Sequence, residues 1–400
     1  MRVELTPSVS AGKTVAPPSK SMAHRYLIVA ALCKGKSLIH GIHPSEDILA
    51  TVDCLRALGV RVELKGTDAV VYGGTLCPPS EPLQCRESGS TLRFFIPICL
   101  LLGAPVTLCG SPRLMERPLS VYEALCVEQG FRMERGQGEV TVCGCLKNQT
   151  YRLDGSVSSQ FISGLLFALA TFPQKSRIEL AGEPESRSYI DLTVGALRSF
   201  GFEAQWESRT VLSLGGEGTP QELTVEGDYS NAAFFDALNL LGGRVEVEGL
   251  DPASMQGDRV YRACFDQLAE GCPTVSLKDC PDLGPVLMML AAALHGAVFT
   301  HTERLKIKES DRGAAMAAEL KKCGAEVVVE PHRIVVVPSV LHAPTEPVCG
   351  HNDHRIVMSM AVLLSRLGGV IEGAEAVAKS LPDFFDRLAS LGINAACAAD

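Results

Sequence analysis

The sequence has no apolar stretch long enough to cross a bilayer, and no charged-then-apolar segment stands ahead of its first strand-like run. Neither a membrane span nor a secretory leader is therefore expected. Its longest candidates, such as 161–170, have the length of core helices. Fifteen cysteines are scattered without one Cys-x-x-Cys pair. An odd number without that spacing indicates neither a disulfide framework nor a zinc site, and the expectation is reduced thiols in the cytoplasm. Walker-type and dinucleotide glycine fingerprints are missing too, because Gly215, Gly216 and Gly218 follow a strand but open no helix. His351 and His354 lie three apart with no third ligand of the right kind nearby, so no metal is expected. The formal charge of −9 argues against general nucleic-acid binding, and any bound anion must meet cations gathered locally. One Trp and 6% aromatic residues, beside 46% hydrophobic content, suit an α/β enzyme of two or three domains with real cores.

The stretch from Pro17 to Arg25 reads Pro-Pro-Ser-Lys-Ser-Met-Ala-His-Arg. Two prolines hold the chain extended, so a helix can begin only after them. Ser19 and Ser21 can both cap it, and Tyr26 to Leu32 continue it as an apolar run. Lys20 and Arg25 add two cations beside the free N–H groups of the first turn, which makes an anion site. Taken alone, the same residues would also suit a capped surface helix with solvated charges.

A repeat gives this stretch its setting. Gly59, Gly130, Gly201, Gly271, Gly324 and Gly392 each end an amphipathic helix-like segment, at intervals of about seventy residues with one nearer fifty. Glycine there is the usual left-handed cap. Each period reads as a polar turn, an apolar helix, a strand, an amphipathic helix and usually a hairpin. The fourth period lacks the hairpin, between Gly271 and Pro273. Six periods divide into two similar domains, 17–226 and a discontinuous 1–16 with 227–400, joined by two close crossings that act as a hinge. Arg2 to Leu5 is expected as a lone N-terminal strand, and the alanine-rich end after Asn394 is expected to fray.

With every helix starting at a polar turn, the helix N-termini are expected to face one cleft between the domains. Those turns hold Lys20, Ser21 and Arg25; Glu87 to Ser90; Ser156, Ser158, Ser159 and Gln160; Asp228, Ser230 and Asn231; Asp279 and Asp282; and Asp353 to Arg355. Connectors add Arg117, Arg187, Lys308, Arg312 and Lys379. The serines with Gln160 offer hydroxyl and amide donors for a phosphate and a polyol, or simply cap a helix. Asp282 and Glu309, amid these cations, can take a proton from a substrate hydroxyl or serve as caps.

In these motifs the chain resembles the enolpyruvyl transferases, and most closely the branch acting on shikimate 3-phosphate. The likeness is carried by Pro18-Ser19-Lys20-Ser21 with Arg25, by Ser88 to Arg93, Glu116-Arg117-Pro118 and Gly155 to Gln160, and by Lys308 to Arg312, Asp353-His354-Arg355 and Lys379. It implies a two-domain inverted barrel-like α/β (α+β) fold, each domain three βαβαββ units, closing on shikimate 3-phosphate and phosphoenolpyruvate without cofactor or metal. It assigns Lys20, Ser21, Arg25, Ser158, Ser159, Gln160, Ser186, Asp282 and Lys308 to shikimate 3-phosphate. To phosphoenolpyruvate, and to the inhibitor glyphosate in the same pocket, it assigns Lys20, Gly89, Arg117, Gln160, Arg312, Arg355 and Lys379. Asp282 would be the base at the 5-hydroxyl, with Lys20, Glu309 and Lys379 as candidates for the proton at C3. A monomer without nucleic-acid or membrane partners is expected. Glu87 stands where the family usually has Asn, Ser90 where it has Thr, and Lys306 where Arg is frequent; no role is carried to Arg304.

Two rivals compete with this reading. The sister transferase acting on UDP-N-acetylglucosamine has a loop cysteine five residues before the Arg matching Arg117, where this chain has Pro112, with Cys109 close by at the wrong spacing. A non-catalytic phospho-ligand or RNA-end binding protein on related units would not need the acid and base candidates.

Overall fold

The computed structural model describes residues 1–398. Met1–Pro17 and Gly227–Asp400 form one compact unit, and Pro18–Glu226 forms another, each with its own hydrophobic core.

Each unit contains three buried helices. Lys20–Leu32 (α1), Gly89–Cys99 (α2) and Ser159–Leu169 (α3) lie in the Pro18–Glu226 unit. Tyr229–Leu240 (α4), Gly284–Ala293 (α5) and His354–Leu367 (α6) lie in the other. They are enclosed because they are apolar nearly all round: of α5, only Ala293 escapes full burial. Five start on a side-chain cap, with Ser19, Ser88, Ser158, Asp228 and Asp353 each accepting a backbone N–H of the first turn. Ser19, not Ser21, therefore caps α1. The sixth differs: α5 follows a 3₁₀ turn, Pro281–Leu283, and Leu283 at its start supplies no side-chain cap.

The strand after each buried helix is the axis of a small sheet and has one parallel neighbour. In the Pro18–Glu226 unit these pairs are Gly35–His40 with Glu222–Thr224, Val106–Cys109 with Leu83–Gln84, and Ser176–Ala181 with Thr150–Asp154. In the other unit they are Arg244–Glu248 with Ala11–Val15, Ala297–Thr300 with Thr274–Ser276, and Gly369–Glu372 with Val348–Cys349. Ala11–Val15 precedes α1 in the chain yet pairs with the strand after α4, whereas Glu222–Thr224 precedes α4 yet pairs with the strand after α1. This exchange makes one unit discontinuous. Four sheets are completed by an antiparallel hairpin, and the Arg244–Glu248 sheet, in the short fourth repeat, stays two-stranded.

Three local expectations need correction. The N-terminal stretch holds two strands, Arg2–Leu5 and Ala11–Val15, not one. The tail does not fray over its described part: Ala395–Ala398 pairs with Arg2–Leu5, whose edge supplies the partners that the tail's composition does not advertise. Residues 399–400 of that stretch lie outside the described residues. Five of the six helix-ending glycines take φ between +68° and +92°, but Gly271 is extended at φ 172°. With no hairpin to enter, the chain there runs straight on through Pro273.

Candidate active site

In the Pro18–Glu226 unit, the start of α1 and its two packing partners gather the first cluster. Lys20 Nζ lies 2.7 Å from Asp47 Oδ2, in the first turn of helix Glu46–Ala57. Arg25 is buried over the Phe94 ring. Its Nε donates to Thr193 Oγ1 at 2.9 Å, Nη1 to the Ser21 carbonyl at 2.6 Å and Nη2 to the Tyr189 carbonyl at 2.8 Å. Protein acceptors thus take three of the five donors a guanidinium has. Burial draws its pKa down to about 10, which still leaves a full charge at neutral pH.

The turn opening α2 forms the second wall. A Cβ on Gly89 would lie 2.6 Å from Arg117 Nη1 and 2.9 Å from its Cζ, so the guanidinium sits directly against that backbone. Arg93, later in α2, donates through Nη1 to Gln160 Oε1 at 2.6 Å, while Gln160 Nε2 donates to Ser90 Oγ at 3.0 Å. Both ends of the Gln160 amide are thereby oriented. A chain of 2.8 Å hydrogen bonds runs from His24 Nδ1 through Thr51 and Thr91 to Ser88 Oγ, tying the helix of Lys20 to the Gly89 turn. Ser158 and Ser159 are buried at the start of α3. Ser186 is also buried and has φ +49°, an uncommon backbone state for a serine and one that gathers at functional sites. Arg187 falls outside this cluster: its guanidinium stacks on Trp206 at 4.1 Å.

In the other unit the cations converge on carboxylates. Asp282 Oδ1 lies 3.0 Å from Lys308 Nζ and 2.8 Å from Arg312 Nη1, and its Oδ2 lies 3.5 Å from Arg355 Nη2. Arg312, 1% exposed, also donates from Nη2 to Glu309 at 2.7 Å and from Nε to Asp353 at 2.8 Å. Lys379 Nζ donates to the Asn352 carbonyl at 2.5 Å. Burial alone would raise the Asp282 pKa, but Lys308, Arg355 and Arg312 together outweigh it and hold the carboxyl well below the usual carboxylate range. Lys308 is drawn down to about 8, first by burial and then by Arg304 and Arg312, against the pull of Asp282. The two partners shift the same way because Asp282 faces three cations, whereas Lys308 has other cations for neighbours.

The chain also carries an Asp258 carboxyl that no sequence pattern pointed to. It is buried, accepts the Ser230 hydroxyl, and is pushed up to about 6 by burial and by Asp282, against Arg355. Its native pKa exceeds the ordinary 3.8, so the stability it contributes is complete below about pH 4 and lost as pH rises through 6. Asp258→Asn should therefore leave stability unchanged near pH 4. Above pH 6 it should gain on the order of 1 kcal/mol or more over wild type, as read by denaturant midpoints across pH. An equal gain at both ends would overturn the assignment.

The motif residues are thus gathered rather than scattered, with a basic cluster in each unit. A comparison with known families places the chain: residues 6–388 match the model described as EPSP synthase (3-phosphoshikimate 1-carboxyvinyltransferase). The chain belongs to the EPSP synthase family. A relative named 3-phosphoshikimate 1-carboxyvinyltransferase in Clostridium kluyveri is 38% identical across 98% of this chain and 97% of its own length. One from Clostridium perfringens is 36% identical over 98% of each. In fold the chain is similar to EPSP synthase from Acinetobacter baumannii, with TM-score 0.80 and 23% identity over 99% of this chain and all of that one. The enolpyruvyl transferase NikO from Streptomyces tendae superposes with TM-score 0.79 at 13% identity, covering 100% of this chain and 99% of that one.

Membership in the EPSP synthase family removes support from both rivals. Pro112 begins the short helix Pro112–Glu116, and Cys109, its thiol pushed up by burial, has its Sγ 3.5 Å from the Leu83 carbonyl. His351 and His354 do not act together: His351 Nε2 lies 2.7 Å from Glu319, while the His354 side chain is buried at the start of α6. Among the described residues no group of three His, Cys, Asp or Glu could hold a metal, and no helix is long and apolar enough to cross a membrane.

Sequence reasoning missed the residues that hold the functional ones in place. Arg93 and Asp353 lay inside quoted motifs, yet only their partners, Gln160 and Arg312, disclose their work. Asp47, in the first turn of its helix, lies in none of those motifs. Thr193, which receives Arg25, lies 168 positions away in sequence.

Proposed function

We infer that this chain transfers the enolpyruvyl group of phosphoenolpyruvate to the 5-hydroxyl of shikimate 3-phosphate, releasing phosphate. Family membership supports the reaction, and the observation that carries its chemistry is a partly buried Asp282 carboxylate among Lys308, Arg312 and Arg355. The 5-hydroxyl oxygen attacks C2 of phosphoenolpyruvate and gives its proton to Asp282, while C3 gains a proton. The tetrahedral adduct then loses phosphate as C3 gives a proton back. Lys20, Glu309 and Lys379 are the candidates for the proton at C3 and for its later removal.

Lys20, Ser21, Arg25, Ser158, Ser159, Gln160, Ser186, Asp282 and Lys308 are assigned to shikimate 3-phosphate. Lys20, Gly89, Arg117, Gln160, Arg312, Arg355 and Lys379 are assigned to phosphoenolpyruvate. A carboxylate and a phosphate on so small a body suit paired guanidiniums, which bind either group through two donors, with lysines as point charges. Glyphosate is proposed to occupy the phosphoenolpyruvate site. A monomer in the cytoplasm is proposed, and the fifteen cysteines, all free, fit a reducing compartment.

Phosphate release with each substrate alone and with both tests the reaction. Release only with both is expected. Release from phosphoenolpyruvate alone would indicate hydrolysis and overturn the transfer reading, and no release with both would overturn the assignment.

A further inference from the structure

Asp282, as it stands, is a poor general base, because a carboxylate held by three cations has little affinity for a proton, whether from solvent or from a substrate hydroxyl. A base works best when its pKa lies near the operating pH. The geometry of Arg312 suggests how this changes. Its guanidinium presents two edges. The Nε edge is anchored on Asp353, with Nε to Oδ2 at 2.8 Å and Nη2 to Oδ1 at 3.3 Å. Asp353 is itself fixed as the cap of α6 and accepts the Ser310 hydroxyl at 2.9 Å. The outer positions, Nη1 and Nη2, are occupied by Asp282 at 2.8 Å and Glu309 at 2.7 Å.

Resting on the substrate assignment above, we propose that phosphoenolpyruvate displaces Asp282 and Glu309 from the outer face of Arg312, and that this exchange is what frees the two carboxylates to carry protons. The incoming dianion or trianion outcompetes a side-chain carboxylate for the fork, since it can use both Nη groups and Arg355 at once. Arg312 keeps its position because Asp353 holds the opposite edge. The proton carriers are thus held inactive until the molecule they act on arrives.

The charged and titratable groups that face Asp282 decide how far its basicity then rises. Lys308, Arg312 and Arg355 favour the carboxylate, and Asp258 and Cys280 lie within electrostatic reach. Removing Arg312 and engaging Arg355 elsewhere leaves Lys308, 3.0 Å from Asp282 Oδ1, as the natural partner for a shared proton. Opposite charge at hydrogen-bond range commonly lowers a carboxyl by about one to three units, and the exchange removes part of that effect.

A crystal structure of the full chain with phosphoenolpyruvate and the 5-deoxy analogue of shikimate 3-phosphate, which has no hydroxyl to react, tests the exchange directly. The expected result is a ligand oxygen on Arg312, with both Asp282 and Glu309 moved from 2.8 and 2.7 Å to beyond about 3.5 Å of its Nη atoms. Phosphoenolpyruvate on Arg312 with either carboxylate still in place would overturn the exchange and leave the substrate assignment standing. Phosphoenolpyruvate bound away from Arg312, or not bound, would overturn the assignment and the exchange with it.

Discussion

Asp282→Asn is expected to lower turnover at least about a hundredfold while shikimate 3-phosphate still binds, because positioned proton transfer typically contributes that much. The substitution is nearly isosteric, and the amide oxygen can still accept from Lys308 and Arg312, which now lie 3.0 and 2.8 Å from Oδ1. The lost charge and lost base should therefore appear in kcat rather than in affinity for shikimate 3-phosphate. Rapid-quench turnover and equilibrium binding separate the two. A variant that keeps more than about a tenth of wild-type turnover would show that another group, with Lys308 first in line at a pKa of about 8, takes the hydroxyl proton.

Gly89→Ala is expected to weaken glyphosate about five- to hundredfold more than phosphoenolpyruvate in a protein that stays folded and active, the range that about 1–3 kcal/mol of steric cost implies. The competing account, that glycine is kept for turn geometry, loses its force here. Gly89 is the first residue of α2 and is not among the glycines with left-handed φ, so an alanine meets no backbone penalty. What a methyl group meets is Arg117, with Nη1 at 2.6 Å and Cζ at 2.9 Å. The guanidinium must give way, and the longer ligand is expected to have less room to accommodate the change. Inhibition and substrate constants measured on the same preparation decide the matter. Equal losses for both ligands would show that the displaced Arg117, and not the length of the occupant, controls the effect.

Much of this architecture was legible because repetition shows in one dimension. Glycine ends, polar turns and apolar helices recur along the chain, and each signals a local preference of the backbone or of an enclosed face. The fourth repeat's missing hairpin could be read from the short interval between Gly271 and Gly324, and its sheet is two-stranded. The exchange of Ala11–Val15 and Glu222–Thr224 between repeats could not be read in this way. Strand partners are chosen by which edge is open in three dimensions, and a short strand carries no mark of its distant neighbour. Ala395–Ala398 is the plainest case, as its composition suggests a loose end and the edge of Arg2–Leu5 decides otherwise.

The candidate site divides along the same line. By itself the sequence determined which residue types stand at the helix starts, since prolines, caps and cations there are local chemistry: Lys20, Gly89, Gln160, Asp282, Arg312 and Arg355 could all be named from it. Only the tertiary structure decided what each is bound to. It put Lys20 on Asp47 and Arg25 on Thr193, and it set Asp282 among three cations. The physical reason is that a charge's protonation and availability depend on burial and on partners within a few ångströms. Those partners come from helices far apart in the chain, so no spacing in the sequence records them.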